Sequence, residues 1–243
     1  MTQPPYQTAA ILIIGNEVLS GRTREANAWY AAQQMFAHGC KLAEVAIVPD
    51  EHDTIVESLG RLHQRYDAVI TSGGIGPTHD DITMQAVADY FGVRLLEHAE
   101  TMAKLYARFG SDVDEGRRRM ARLPEHAEPI ICPASMMPGA KMQRVYVLAG
   151  VPSIFASQLD SFMDDFSNRP FLRKEVEVQM QESQFAAALG AIQDDYPDVE
   201  IGSYPIHCAE HPQGKICFSS QDADRLAQAL TAVEAMIRSI STT

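Results

Sequence analysis

The sequence predicts an α/β protein built on a mostly parallel sheet, followed by a small α+β appendage. Three observations lead there. Short, continuous apolar runs alternate with segments of helical periodicity up to Phe166, the pattern of βαβ units whose strands are buried on both faces. The turns that leave those strands are rich in glycine and small polar residues, most densely in TSGGIGPTHDDIT, Thr71–Thr83. Beyond SNRPF, Ser167–Phe171, the order becomes strand, helix, strand, strand, helix.

In chain order, Ala9–Ile14 is an apolar run ending in glycine, and reads as a buried strand. The loop GNEVLSG follows, then a helix over Glu25–His38, with Gly39 placed for a left-handed C-terminal cap. Leu42–Val48 is the second strand, His52–Gln64 the second helix and Ala68–Thr71 the third strand. After the glycine-rich loop, Ile82, Ala86, Val87, Tyr90 and Phe91 share one helical face, so a helix is expected to begin at Asp80 and Asp81 and to end at Gly92. Ala99–Arg122 reads as helical with a kink near GSDVDEG, and Pro124–Ala140, with four prolines, as irregular. RVYVLAGVPS supplies another strand and a turn into a helix from Ser153 to Phe166. In the appendage, strands are expected at Glu175–Met180, Ile201–His207 and Ile216–Ser219, and helices at Ser183–Tyr196 and Asp222–Ile240, a βαββα order of ferredoxin-like character. The division is placed between residues 1–168 and 169–243.

With 46% hydrophobic and 21% charged residues, the 243-residue chain can bury a full core, which excludes disordered and collagen-like classes. The net charge of −12 argues against a general nucleic-acid or membrane-surface binder, since both need a basic face. The N-terminal apolar run is too short for a signal core or a membrane span, and cysteines 40, 132, 208 and 217 show no paired framework; a cytoplasmic protein with reduced thiols is expected.

The loop around Gly73, Gly74, Gly76 and Thr78, entered through Ser72, has the composition of an anion cradle. Glycines let the backbone approach a ligand and take up positive φ, so that successive amides point at one phosphate. It is not a dinucleotide fingerprint, because His79 stands where a third glycine is required, and no P-loop lysine follows. Asp80 and Asp81 would repel a phosphate unless a divalent cation lay between, and Mg²⁺ is typically held by one or two carboxylates plus phosphate oxygens. The competing structural explanation is a tight turn in which Thr78 and Asp81 form a capping box. The first loop adds Gly15, Asn16, Glu17, Ser20 and Asn27. Glu17 can complete a cation site or serve as the base for an attacking water, against a plain solvated acid; Asn27 is a ligand contact or an ordinary helix-start residue. The turn at Gly150, Pro152 and Ser153 would close the third side. His207, Cys208, His211 and Cys217 have a zinc-like spacing but straddle an expected hairpin, which favours a structural role. The basic run GRRRMAR, Gly116–Arg122, reads as a solvated helix face from which one arginine can reach a phosphate.

Four blocks, ILIIGNEVLSGRTREANA, TSGGIGPTHDDITMQAVA, RMARLPEHAEPI and PGA followed by VYVLAGVPS, resemble in order and spacing the molybdopterin-binding (MoaB/MogA-like) domain, and within it the N-terminal domain of competence/damage-inducible CinA-type proteins. The resemblance covers about Ala9–Phe166 and implies a three-layer fold with its site at the two glycine-rich loops. It implies that Gly73, Gly74 and Gly76 cradle phosphate, that Asp81 and Glu17 are the acids, and that Thr83 belongs to the site. It departs at Asn16, where the family usually carries aspartate. It further implies a small phosphate-bearing pterin or nucleotide as ligand, molybdopterin among them, with Mg²⁺ or Mn²⁺ at Asp81 and Asp80 or Glu17. Hydrolysis of the pyrophosphate of ADP-ribose-type nucleotides, with Glu17 or Asp80 as base, and self-association into a homo-oligomer are also implied; the alternative is a non-catalytic molybdopterin or nucleotide carrier, or a regulatory binding protein. The C-terminal amidase of longer CinA-type proteins is expected to be absent.

Overall fold

The computed structural model describes residues 5–166, 169–206 and 213–241. The chain forms two compact units, Met1–Asn168 and Arg169–Thr243.

The first unit runs β1 (Thr8–Ile14), α1 (Asn16–Leu19), α2 (Asn27–Ala37), β2 (Lys41–Val48), α3 (His52–Arg65), β3 (Ala68–Ser72), α4 (Thr83–Phe91), β4 (Leu95–Glu97), α5 (Ala99–Phe109), α6 (Glu115–Met120), β5 (Arg122–Pro124), β6 (Glu128–Cys132), β7 (Ser135–Met142), β8 (Val145–Leu148) and α7 (Pro152–Asp160). Six strands form one sheet in the order β2-β1-β3-β8-β7-β6. The pairs β2-β1, β1-β3 and β3-β8 are parallel, and β8-β7 and β7-β6 are antiparallel. The sheet is thus mixed and mostly parallel.

Why the strands read as unbroken apolar runs is visible in their side chains. Ile11 and Ile13 of β1, Ile70 of β3 and Leu148 of β8 pack with Ala31 and Met35 of α2 and Phe155 and Leu159 of α7. Leu12 and Ile14, Val69 and Val147, one residue out of phase, pack on the opposite face with Ile55 and Leu59 of α3 and Ala86 and Val87 of α4. Each strand is buried from both sides, giving three layers, and each such Ile, Leu or Val contributes on the order of 1.5–3 kcal/mol. Since β1 is followed by β2 on one side and β3 pairs on its other side, the chain reverses direction at β1. In open α/β sheets ligands bind at such a switch point, beside the loops that here leave β1 and β3.

Two expectations are corrected. The segment 124–140 is not irregular: it holds the end of β5, all of β6 and most of β7. Two of its four prolines sit where no ladder amide is needed, Pro129 on the edge strand β6 and Pro138 before β7 begins to pair with β8 at Ala140. The helix after the glycine-rich loop begins at Thr83 rather than at the aspartates, because the Asp81 carboxylate is used to close the preceding turn. Gly92 caps that helix in the left-handed conformation, φ 66°, as expected. The short β4-β5 ribbon flanks α5 and α6, whose core is Met102, Leu105 and Ala121.

The second unit runs β9 (Leu172–Val178), α8 (Glu182–Asp195), β10 (Glu200–Ile206), β11 (Gln213–Ser220) and α9 (Ala223–Ser241). Its antiparallel sheet has the order β10-β11-β9, so β9 and β10 are split by β11. Alternate residues of β11, among them Ile216 and Phe218, pack against Phe185, Leu189, Leu226 and Val233 of the two helices. Cys217 therefore lies on the other face of the strand; His207, Cys208 and His211 lie outside the described residues. No helix among the described residues is long and apolar enough to cross a membrane.

Candidate functional site

The glycine loop leaves the carboxyl end of β3 against the neighbouring backbone. Gly73 has φ 106°, and a Cβ on it would stand 2.2 Å from the Ile14 carbonyl oxygen. A Cβ on Gly150, after β8, would reach Gly73 Cα at 3.2 Å. Gly74 has φ 66°, and its Cβ would meet Thr83 Oγ1 at 2.2 Å. The first two glycines are therefore required by the protein's own packing, and Gly76, without positive φ, by the Asp81 carboxylate, 2.7 Å from where a Cβ would lie.

Amide accounting then separates the loop residues. Gly73 N donates to the Leu148 carbonyl at 3.2 Å, Thr78 N donates to Asp81 Oδ2 at 2.8 Å, and Pro77 has no N–H. Among the described residues, the amides of Gly74, Ile75 and Gly76 donate to no protein acceptor. The expected cradle of Gly73 to Thr78 is thus narrowed to three successive donors. All three residues line a cleft of about 240 Å³, with Ile82, Met84, Leu95 and Met120 as apolar wall and His79, Asp81, Gln85, Arg119 and Arg122 as polar groups.

Three residues expected to contact ligand serve the scaffold instead. Asn27 and Ser72 are buried, and Asn27 Nδ2 donates to Ser72 Oγ at 2.8 Å and to the Gly150 carbonyl at 2.9 Å. Buried Thr83 donates to the Gly73 carbonyl at 2.9 Å, while its amide donates to the Gly74 carbonyl at 3.0 Å. The Asn27 amide nitrogen ties the loops after β1, β3 and β8 together, and Thr83 closes the glycine loop on itself. Exposed Ser20 donates to the Glu17 carbonyl at 3.3 Å; Gly150, Pro152 and Ser153 lie exposed at the start of α7.

The acids come from three loops, and of Glu17, Asp50, Asp80 and Asp81 only Asp81 lines the cleft; no residue of 15–27 or of 150–153 does. The Glu17 carboxylate, on the single turn α1, folds back over Gly15, whose Cβ would stand 2.6 Å from it. The Asn16 amide donates to Asp50 Oδ2 at 2.8 Å, which brings in a carboxylate that sequence reasoning missed. Burial pushes the Asp50 carboxyl above its ordinary range, and Glu17, Asp80 and Asp81 push it the same way against the Asn16 hydrogen bond. The Thr78 hydroxyl holds the Asp80 carboxyl below the usual range. That hydroxyl lies 2.6 Å from Asp80 Oδ1 and also bonds Asp81 Oδ2. It has one proton to give, so one of the two carboxylate oxygens faces it lone pair to lone pair, an arrangement that a cation relieves. Among the described residues no three His, Cys, Asp or Glu side chains are grouped to hold a metal alone. The donor set fits a hard cation shared with phosphate oxygens rather than one caged by protein.

Comparison with known proteins agrees with this architecture. The crystal structure of CinA, a protein of unknown function from Thermoplasma acidophilum, superposes with a TM-score of 0.62 at 30% identity, over 66% of this chain and 98% of that one. A protein of Archaeoglobus fulgidus is 29% identical over 230 residues, 93% of this chain and 96% of its own. A CinA-like protein of Myxococcus xanthus is 33% identical over 157 residues, 62% of this chain and 37% of its own. Residues 170–243 match the middle domain of FAD synthase. Residues 10–174 match the family described as a probable molybdopterin binding domain, and the chain belongs to that family.

Proposed function

We propose that the cleft beside Gly74–Gly76 binds a phosphate-bearing pterin or nucleotide and, with a divalent cation, hydrolyses the pyrophosphate of ADP-ribose-type nucleotides. The observation that carries this reading is the run of three amides without a protein acceptor, set in the wall of a cleft. Such a run recognises phosphate oxygens, and the apolar wall of Ile82, Met84, Leu95 and Met120 suits the flat face of a heterocycle. The match of residues 170–243 to the middle domain of FAD synthase supports a nucleotide ligand.

Asp80 and Asp81 would hold Mg²⁺ or Mn²⁺ together with ligand phosphate, with Glu17 and Asp50 nearby. When bound, the cation offsets charge on the phosphates being separated. The chain's own groups do the rest: the amides orient the phosphate, Thr78 fixes Asp80 and Asp81, and Glu17 or Asp80 takes the proton of the attacking water. A second reading, binding without turnover, is favoured by the amide of Asn16 where the family usually carries an acid, and by the lack of a three-acid group among the described residues.

The test is release of AMP from ADP-ribose and FAD, with Mg²⁺, with Mn²⁺ and with chelator, for wild type beside Asp81→Asn. Asparagine keeps an acceptor for the Thr78 amide while removing the charge. Metal-dependent release that falls about 100-fold or more in the variant supports the hydrolase, on the scale of losing one charge-stabilising group. No release, with ADP-ribose or molybdopterin still raising the melting temperature, supports the carrier.

A further inference from the structure

We propose that Arg119 supplies the positive charge that meets the ligand's phosphate in the Gly74–Gly76 cleft. This assignment rests on reading that cleft as a phosphate site.

Four arginines crowd into Arg117–Arg122, and three are matched with carboxylates. Arg117 pairs with Asp114 and lies over the Phe109 ring at 4.4 Å. Arg118 pairs with Glu97 at 3.3 Å and bonds the Tyr106 hydroxyl. Arg122 pairs with Glu115 at 2.8 Å and Glu97 at 3.7 Å. Among the described residues Arg119 makes no ion pair; its guanidinium donates to the carbonyl of Thr78, in the phosphate loop itself, and lines the cleft with Gly74, Ile75 and Gly76. Asp80 and Asp81 stand within three residues of that carbonyl, yet their bonds go to Thr78.

The Thr78 carbonyl is a neutral acceptor and engages one of the five donors of a guanidinium. The remaining fork matches a phosphate in bidentate geometry. Electrostatics gives the guanidinium a purpose: Glu17, Asp50, Asp80 and Asp81 make the neighbourhood negative, and the guanidinium adds to the amide dipoles and the divalent cation that oppose them. Because α6 touches the loop at Pro77, where a Cβ on Gly116 would come within 3.2 Å, the same contact places the arginine and braces the cradle.

The bracing role and the charge role are separable with Arg119→Gln. Glutamine is shorter and carries no charge, whereas lysine keeps the charge, so binding lost with glutamine and regained with lysine belongs to the charge, and thermal unfolding reads the bracing. Binding of inorganic pyrophosphate and of ADP-ribose, each with Mg²⁺, is measured by calorimetry for wild type, Arg119→Gln, Arg119→Lys and Arg118→Ala, alongside thermal unfolding. Expected is a loss of affinity of about 10- to 100-fold in Arg119→Gln at unchanged melting temperature, the scale of one charge-assisted hydrogen-bond pair. Arg119→Lys should recover part of it, and Arg118→Ala should bind as wild type does. Equal affinities in wild type and Arg119→Gln would overturn the assignment while leaving the phosphate site standing. If wild type binds neither probe, the phosphate site and the assignment fall together.

Discussion

Asn27 and Ser72, 45 positions apart, share a buried hydrogen bond of 2.8 Å that joins the start of α2 to the end of β3. The same amide nitrogen reaches the Gly150 carbonyl beyond β8, so one side chain links the three loops at the switch point. Asn27→Ala would leave the Ser72 hydroxyl and the Gly150 carbonyl without their donor. A loss of about 1–3 kcal/mol is expected in urea unfolding, because the stranded groups keep their desolvation cost. A change within about 0.5 kcal/mol, the range of ordinary surface substitutions, would contradict this tie.

Gly73 and Gly76 are expected to behave differently when replaced by alanine. At Gly73 the backbone has φ 106° and the new methyl would collide with the fixed Ile14 carbonyl, so Gly73→Ala should lose more than the roughly 1–3 kcal/mol of backbone strain alone. At Gly76 the obstacle is the end of the Asp81 side chain, which can swing away. Gly76→Ala should keep its melting temperature within a few degrees of wild type and lose the effect of Mg²⁺ on phosphate binding. Thermal unfolding of the two variants with and without Mg²⁺ and pyrophosphate reads both outcomes.

Asp50 gives the site a pH signature. Its folded carboxyl titrates above the ordinary value of 3.8, so the native state holds that proton more tightly than the unfolded chain does. The group therefore favours folding while protonated, and its contribution declines as pH rises from 3.8 through the raised folded value. Asp50→Asn retains an acceptor for the Asn16 amide and has no charge to repel. The stability of this variant relative to wild type should grow through that window and level off above it, measured by denaturant unfolding at a series of pH values. Parallel pH curves would show that the folded Asp50 carboxyl is not raised.

Much of this architecture is legible in the residues themselves, and the gaps have physical causes. Ala9–Ile14 and Ala68–Thr71 announce strands because both of their faces are buried, and Gly92 announces a helix end because the left-handed cap excludes a Cβ. The β6-β7 hairpin is hidden by prolines that signal irregular chain unless the edge position of Pro129 is known. Asn27, Ser72 and Thr83 have the chemistry of ligand contacts, and only burial reveals that they spend it on one another's loops. Asp50 follows an apolar run and precedes a helix, so asking which acid stands just past each strand's carboxyl end would have found it. Arg119 could not be singled out from GRRRMAR, since its distinction is the carboxylate it lacks while its neighbours have theirs.

On the proposed reading Gly74, Ile75 and Gly76 present their amides to a phosphate. Amide resonances of ¹⁵N-labelled protein, followed while inorganic pyrophosphate is added with Mg²⁺, test it directly. These three should shift along one saturation curve, while the amides of Gly73 and Thr78, already donating to Leu148 and Asp81, move less. Saturable shifts elsewhere with these three unmoved, or no saturable shift at all, would contradict it.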